Sequence, residues 1–135
     1  MLFKKIEDPQ VIVSDGTFGK LTLIDLHFRG KFWETVYRDI KLMIAYDGVN
    51  KVPTEEVLSL ARTTFKNNWL ENSLRSAIDL ALEQNPVEYH DKINGFTIYS
   101  LSFSEEGKIF IGLCTENLWF ADFQAGEIKN VWLDV

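Results

Sequence analysis

The strongest constraint in this chain is a double change in the spacing of its apolar residues. The period is two, then about 3.6, then two again. In IKLMIAYD (40–47), Ile40, Leu42, Ile44 and Tyr46 alternate with other side chains, and Asp47-Gly48 closes the run. FWETVY (32–37) puts Trp33, Thr35 and Tyr37 on one side and Phe32, Glu34 and Val36 on the other. VIVS (11–14) is β-branched and stops at Asp15-Gly16. From Phe18 onward, Phe18, Thr22, Ile24, Leu26 and Phe28 share one parity with only Lys20 polar among them. That predicts a half-buried strand with this side inward, followed by a turn at Arg29-Gly30-Lys31.

The middle of the chain has helical spacing. PTEEVLSLARTTF (53–65) repeats Val57, Leu58, Ala61 and Phe65, with Thr54 as the predicted N-cap. Glu55 and Glu56 suit the positive end of the helix dipole. At Asn67-Asn68 the apolar phase slips, and the next stripe is Leu70, Leu74, Ile78, Ala81 and Leu82. Asn68 and Glu71 have the spacing of a capping box. These signals predict two helices, 54–66 and 69–84, or one bent helix, ending at Asn85-Pro86.

The last third returns to alternation. GFTIYSLSF (95–103) and KIFIGLCT (108–115) flank Glu105-Glu106-Gly107, and LWFADFQ (118–124) and EIKNVWLDV (127–135) flank Ala125-Gly126. Short connections imply antiparallel neighbours. The whole chain, 1–135, therefore predicts one α+β domain. Strands at about 11–47 and 95–135 would form an antiparallel sheet of about seven or eight strands, packed on two central helices at about 54–84. Gly112, isolated in an apolar strand, marks a bulge or a close approach.

Composition narrows the function classes. Apolar residues at 46% and charged residues at 25% exclude a disordered chain. A single cysteine, Cys114, allows no internal disulfide. MLFKKIEDPQ (1–10) does not have the pattern of a signal peptide, and no apolar run is long enough to span a membrane, so a cytoplasmic location is expected. The net charge is −6, and its halves differ: residues 1–70 hold 9 acids and 10 bases, whereas residues 71–135 hold 11 acids and 4 bases. A field of that sign repels nucleic acid and favours cationic partners.

Catalytic patterns are missing. Cys114 stands in an apolar strand and reads as a buried, inert thiol. There is no G-x-S-x-G, no G-x-G-x-x-G and no Walker A motif. EYHD (88–91) gathers Glu88, His90 and Asp91 but has no second histidine at metal-ligand spacing, and it reads as a solvated loop. His27 reads as a structural residue of its strand. The basic residues Arg29, Lys31, Arg38 and Lys41 are diluted by Glu34 and Asp39. No catalytic residue, metal or cofactor is expected, and the chain is read as a non-enzyme.

The C-terminal rings carry the functional expectation. Trp119, Phe120, Phe123 and Trp132 fall close together, and rings occupy both faces of 118–124. A sheet packed on helices through one face covers only one of these sets. Large exposed apolar patches mark contact surfaces.

Together, I109-F-I-G-L, L118-W-F-A-D-F and A125-G-E-I-K-N-V-W-L resemble the closing meander of a group of small bacterial domains of unknown function. F18-G-K-L and G30-K-F-W-E resemble their opening hairpin. Asn117 and Leu118 stand where many of those domains carry histidine. Some of those domains occur beside polymorphic or contact-dependent toxins and are taken to be immunity proteins. The resemblance implies a protein that binds and neutralises a toxin domain, for instance a basic nuclease, and it supplies no catalytic residues. The expected contact surface combines Trp119, Phe123 and Trp132 with Glu116, Asp122, Glu127 and Asp134, and Trp119 is the first candidate anchor. Trp33 and Tyr37 would extend it. Two alternatives stand beside this: an oligomerisation module that forms a homodimer through the rings, and a ligand binder or acid–base enzyme with a helix–sheet pocket facing Asp25 or His27.

Overall fold

The structure, a computed structural model, describes residues 11–26, 30–49 and 51–134. The readings of the leader (1–10), of Phe28 as an inward residue, of His27 as a structural or pocket residue and of Arg29 in a turn lie outside these residues. The elements are β1 (Ile12–Asp15), β2 (Gly19–Leu26), β3 (Gly30–Tyr37), β4 (Ile40–Ala45), α1 (Glu55–Thr63) and α2 (Trp69–Gln84). A 3₁₀ turn (Val87–Tyr89), α3 (His90–Asn94), β5 (Thr97–Phe103), β6 (Ile109–Cys114), β7 (Leu118–Gln124) and β8 (Glu127–Leu133) follow. The fold is α+β, as the change of period predicts.

Eight strands form one sheet in chain order, β1 to β8. Every neighbouring pair is antiparallel except β4–β5, which is parallel. That exception follows from the connection: the helices carry the chain back to the end where β4 began, as a parallel pair requires. Two hairpins close on two-residue turns with both residues at positive φ, Arg38-Asp39 (51° and 63°) and Ala125-Gly126 (50° and 82°). Such turns match the natural twist of the flanking strands.

Register assigns the two faces. Leu23 pairs with Trp33, Trp33 with Ile44, Ile44 with Phe103, Phe103 with Ile109, and Ile109 with Phe123. This row and those parallel to it build the core, where Leu21, Trp33, Leu42, Ile44, Leu101, Ile111 and Leu113 are fully buried. In β2 the inward parity is therefore that of Leu21 and Leu23, opposite to the expectation from Thr22 and Ile24. The strand carries apolar residues on both sides, so its own pattern is ambiguous. The pairing with Trp33 decides it.

The helices lie on the core face. α1 buries Val57, Leu58 and Ala61. Just beyond α1, the Phe65 ring meets Tyr37 at 4.8 Å and Phe18 at 5.9 Å, both edge-on. Asn67 and Asn68 are both left-handed (φ 53° and 59°), so the chain makes two helices and not one bent helix. Asn68 consequently forms no capping box, and Thr54, although extended at the N-cap position, makes no side-chain cap bond. α2 buries the small residues Ser73, Ala77 and Ala81, while Leu70, Leu74, Ile78 and Leu82 flank them half-buried. Small side chains on that line let the helix backbone lie close to the sheet, where α2 packs against β8. EYHD is not a loop: Glu88 and Tyr89 close the 3₁₀ turn and His90 and Asp91 begin α3. A ring nitrogen of His90 lies 3.1 Å from the Asn85 carbonyl.

Candidate functional site

The face of the sheet opposite the helices gathers most of the unclaimed aromatic surface. The reason is parity. The β6–β7 hairpin pairs Leu113 with Trp119, Ile111 with Ala121 and Ile109 with Phe123, so Trp119 and Phe123 share the side of the core. Trp119 is only 3% exposed and packs against Phe96 with ring centres 5.3 Å apart. The expected first anchor is thus a core residue. Phe123 meets Trp69 of α2 edge-on at 5.0 Å, on the helix side. Trp33 is fully buried, and Tyr37 is held in the cluster with Phe18 and Phe65. None of these four extends a displayed patch.

Trp132 is on the helix-free face, together with Phe120, which stands directly opposite it across β7–β8. Their ring centres are 6.0 Å apart and the planes tilt by 36°. Both are half-buried. The same row continues through Gly112 to Ser100. A bulge at Tyr99 turns its ring over Gly112: a Cβ placed on Gly112 would stand 2.7 Å from Tyr99 Cε1 and 2.1 Å from Ser100 Oγ. Glycine is required here because two side chains occupy the space of its missing methyl. Tyr99, Phe120 and Trp132 therefore follow one another along this row.

The adjacent row runs Glu34, Met43, Ser102, Phe110, Asp122 and Asn130. Phe110 is 37% exposed, and Val36 and Ile12, on the same face, are more so. A depression of about 250 Å³ opens between Phe32, Met43, Ser102 and Phe110. Asp122 places a carboxylate among these rings. Its Oδ2 accepts a bond from Gln124 Nε2 at 2.6 Å, while its Oδ1 is buried with no hydrogen-bond partner among the described residues. A buried acceptor left in this state lacks the compensation that folding usually provides.

The other expected acids do not join Asp122. Glu116, in the β6–β7 turn, is exposed and ion-paired with Lys92 at 3.3 Å. Asp134, just past β8, is exposed at that same end, and its backbone N–H donates to the Leu118 carbonyl at 2.8 Å. Glu127 opens β8 at the opposite end and pairs with Lys129, whose hydrogen bond holds its carboxyl below the usual glutamate range. Much of the remaining negative charge lies on helices: Glu71, Asp79 and Glu83 are exposed along α2. The structure thus separates the rings from most of the acid.

Cys114 is exposed, not buried. It shares the helix-free face with Phe110, and its thiol donates to the Thr115 carbonyl at 3.2 Å. Asp25 sits exposed near the end of β2 and lines none of the described cavities. Among the described residues no group of three or more His, Cys, Asp and Glu side chains could hold a metal ion. Among the same residues no helix is long and apolar enough to cross a membrane. Comparisons with family models, curated proteins and solved structures give no match.

Sequence reasoning placed Trp132 and Asp122 in the contact surface but passed over Tyr99, Phe110 and Phe120 as contact residues. Gly112 carried the usable signal. An isolated glycine in an apolar strand marks a close approach, and here the approaching group is the Tyr99 ring.

Proposed function

We propose that this protein is a non-catalytic protein-binding module of the immunity type, which captures a cationic protein on the helix-free face of its sheet and thereby neutralises it. The observation that carries this reading is the ring row of Tyr99, Phe120 and Trp132 beside the Asp122 carboxylate. Aromatic side chains flanking a carboxylate suit an arginine or lysine from a partner, through ring stacking and a charge-assisted bond together. Asp122 has no ion pair with any described cation, so its charge is not matched within the described residues. Net charge contributes differently. At −6, the molecule would attract a basic partner over distances of about a Debye length, raising the association rate more than the final affinity. The resemblance to immunity-type domains agrees with such a role and names no reaction.

The test is to search the genes beside this one for a toxin domain and to co-express the protein with any that is found. The expected result is rescue of growth, a complex by size exclusion, and an association rate that falls steeply with salt. Phe120→Ala with Trp132→Ala should abolish rescue while leaving the thermal unfolding cooperative, and Asp122→Asn should weaken binding. Protection that survives loss of both rings would place the contact elsewhere, and absence of protection would remove the immunity reading. A homodimer by light scattering that is lost in the same double variant would favour the oligomerisation module instead.

A further inference from the structure

A second site of different chemistry lies on the other side of the sheet, between the start of α2 and the β7–β8 hairpin. It is a groove of about 560 Å³. That volume is in the range of about 300–1,000 Å³ that holds small molecules. Its aromatic wall is the edge-on pair Trp69 and Phe123, both half-buried. Opposing polar groups are supplied by Asn67, Asn72, Ser73 and Ser76.

Ser73 is the informative member. It is only 5% exposed, yet its hydroxyl makes no hydrogen bond to any described residue. A serine inside a helix commonly satisfies itself on the carbonyl one turn back. Ser73 instead lines the groove with its hydroxyl free. Asn67 is presented from a backbone fixed in the left-handed region, which asparagine tolerates better than most residues.

Charge selects the ligand class. Lys66 and Glu127 both border the groove, and Glu127 is already engaged by Lys129. With Glu127 so engaged, Lys66 is the one lining charge without an ion pair among the described residues, and a single exposed lysine makes only a weak site for an anion. Neutral amides and hydroxyls facing two rings match a molecule with an apolar ring face and hydroxyls around its edge.

We propose that this groove binds a neutral polyhydroxylated ring, either a monosaccharide or the end unit of a saccharide chain. Its face would rest on the Trp69–Phe123 wall and its hydroxyls would bond to Asn72 and Ser73. The site is independent of the helix-free face.

The experiment is a titration of ¹⁵N-labelled protein with glucose, galactose, N-acetylglucosamine and maltotriose, with inorganic phosphate as the ionic control. At least one sugar should give saturable shifts confined to residues 63–76 and 123–128. Asn72→Ala, an exposed helix position that folding tolerates, should weaken that binding about tenfold, the loss of one good hydrogen bond. Trp69→Leu should abolish it, and Trp132→Ala should leave it unchanged. If no sugar shifts these amides at about 50 mM, well above a millimolar dissociation constant, the proposal fails. It also fails if phosphate produces the same shifts, since Lys66 would then be an anion site, or if Asn72→Ala leaves the affinity unaltered.

Discussion

Arg62 Nη2 lies 2.7 Å from Asp15 Oδ1, joining the last turn of α1 to the first hairpin across 47 residues of sequence. The other oxygen of Asp15 accepts the N–H groups of Thr17 (2.9 Å) and Phe18 (3.0 Å), so one carboxylate both shapes its turn and tethers the helix. The second arm of Arg62 reaches Glu55 at 2.6 Å, but that glutamate is largely exposed and the pair adds little.

Replacing Asp15 with Asn should therefore cost about 1–3 kcal/mol at neutral pH, measured by urea unfolding, because it removes a charge-assisted bond at a nearly buried group. Burial alone would raise the Asp15 pKa, but the Phe18 N–H, the Arg62 guanidinium and the Thr17 N–H outweigh it and hold the carboxyl below the usual aspartate range. A carboxyl depressed on folding stabilises the protein above its unfolded pKa, and that share is lost as pH falls through the lower folded value. Wild type should accordingly lose this increment in the acid range, and Asp15→Asn should show a flatter acid limb. Identical limbs would mean that Asp15 is not coupled to folding.

Trp119 and Trp132 make a paired test of the two faces. Trp119→Ala should destabilise by about 3–5 kcal/mol, as for deletion of a core aromatic. Trp132→Ala should cost only about 1–2 kcal/mol, since its ring is half-buried. Equal losses in chemical denaturation would contradict the assignment of faces.

Gly112→Ala places a methyl where Ser100 Oγ and the Tyr99 ring already stand. The expected cost is about 1–3 kcal/mol, typical of overpacking. Tyr99 should also become mobile, seen as averaged ring resonances by NMR. An unperturbed Tyr99 spectrum would show that the ring is not held against Gly112.

Ala125 adopts φ 50° in the β7–β8 turn, a conformation that a Cβ disfavours. Ala125→Asn creates the asparagine-glycine pair that such turns prefer. It should raise stability by about 0.5–1 kcal/mol, visible as a higher melting temperature. No gain would indicate that the turn relaxes away from this geometry.

Cys114 should react with a maleimide in the native protein nearly as fast as in denaturant, because it is exposed. Its position on the helix-free face means that a bound partner should slow the labelling, which gives a mapping readout for the contact surface.

Element positions were legible because each rests on local chemistry. Asn85-Pro86 ends α2, the 105–107 turn joins β5 to β6, and Ile40, Leu42 and Ile44 of the alternating run are the buried residues of β4, with Tyr46 just past its end. The contact surface was less legible. In LWFADF both parities are apolar, so the residues alone do not say which rings turn inward. Nothing in the spacing of Asn67 and Ser73, or in the distance along the chain from Trp69 to Phe123, signals that they share one groove.

By itself the sequence determined the change of period, the two helices between two sets of strands, the negative charge of the second half and the lack of catalytic motifs. These depend on side-chain chemistry over a few residues. Tertiary structure decided which parity of β2 and β7 meets the helices, and so sent Trp119 inward and Phe120 outward. It also decided which small residues of α2 are buried, and that Ser73 lines a groove beside the β7–β8 hairpin. The physical reason is that a strand's two faces differ only through what its neighbours bury. Register with Leu113 and packing beneath α2 chose one face, and no property of 118–124 in isolation does so.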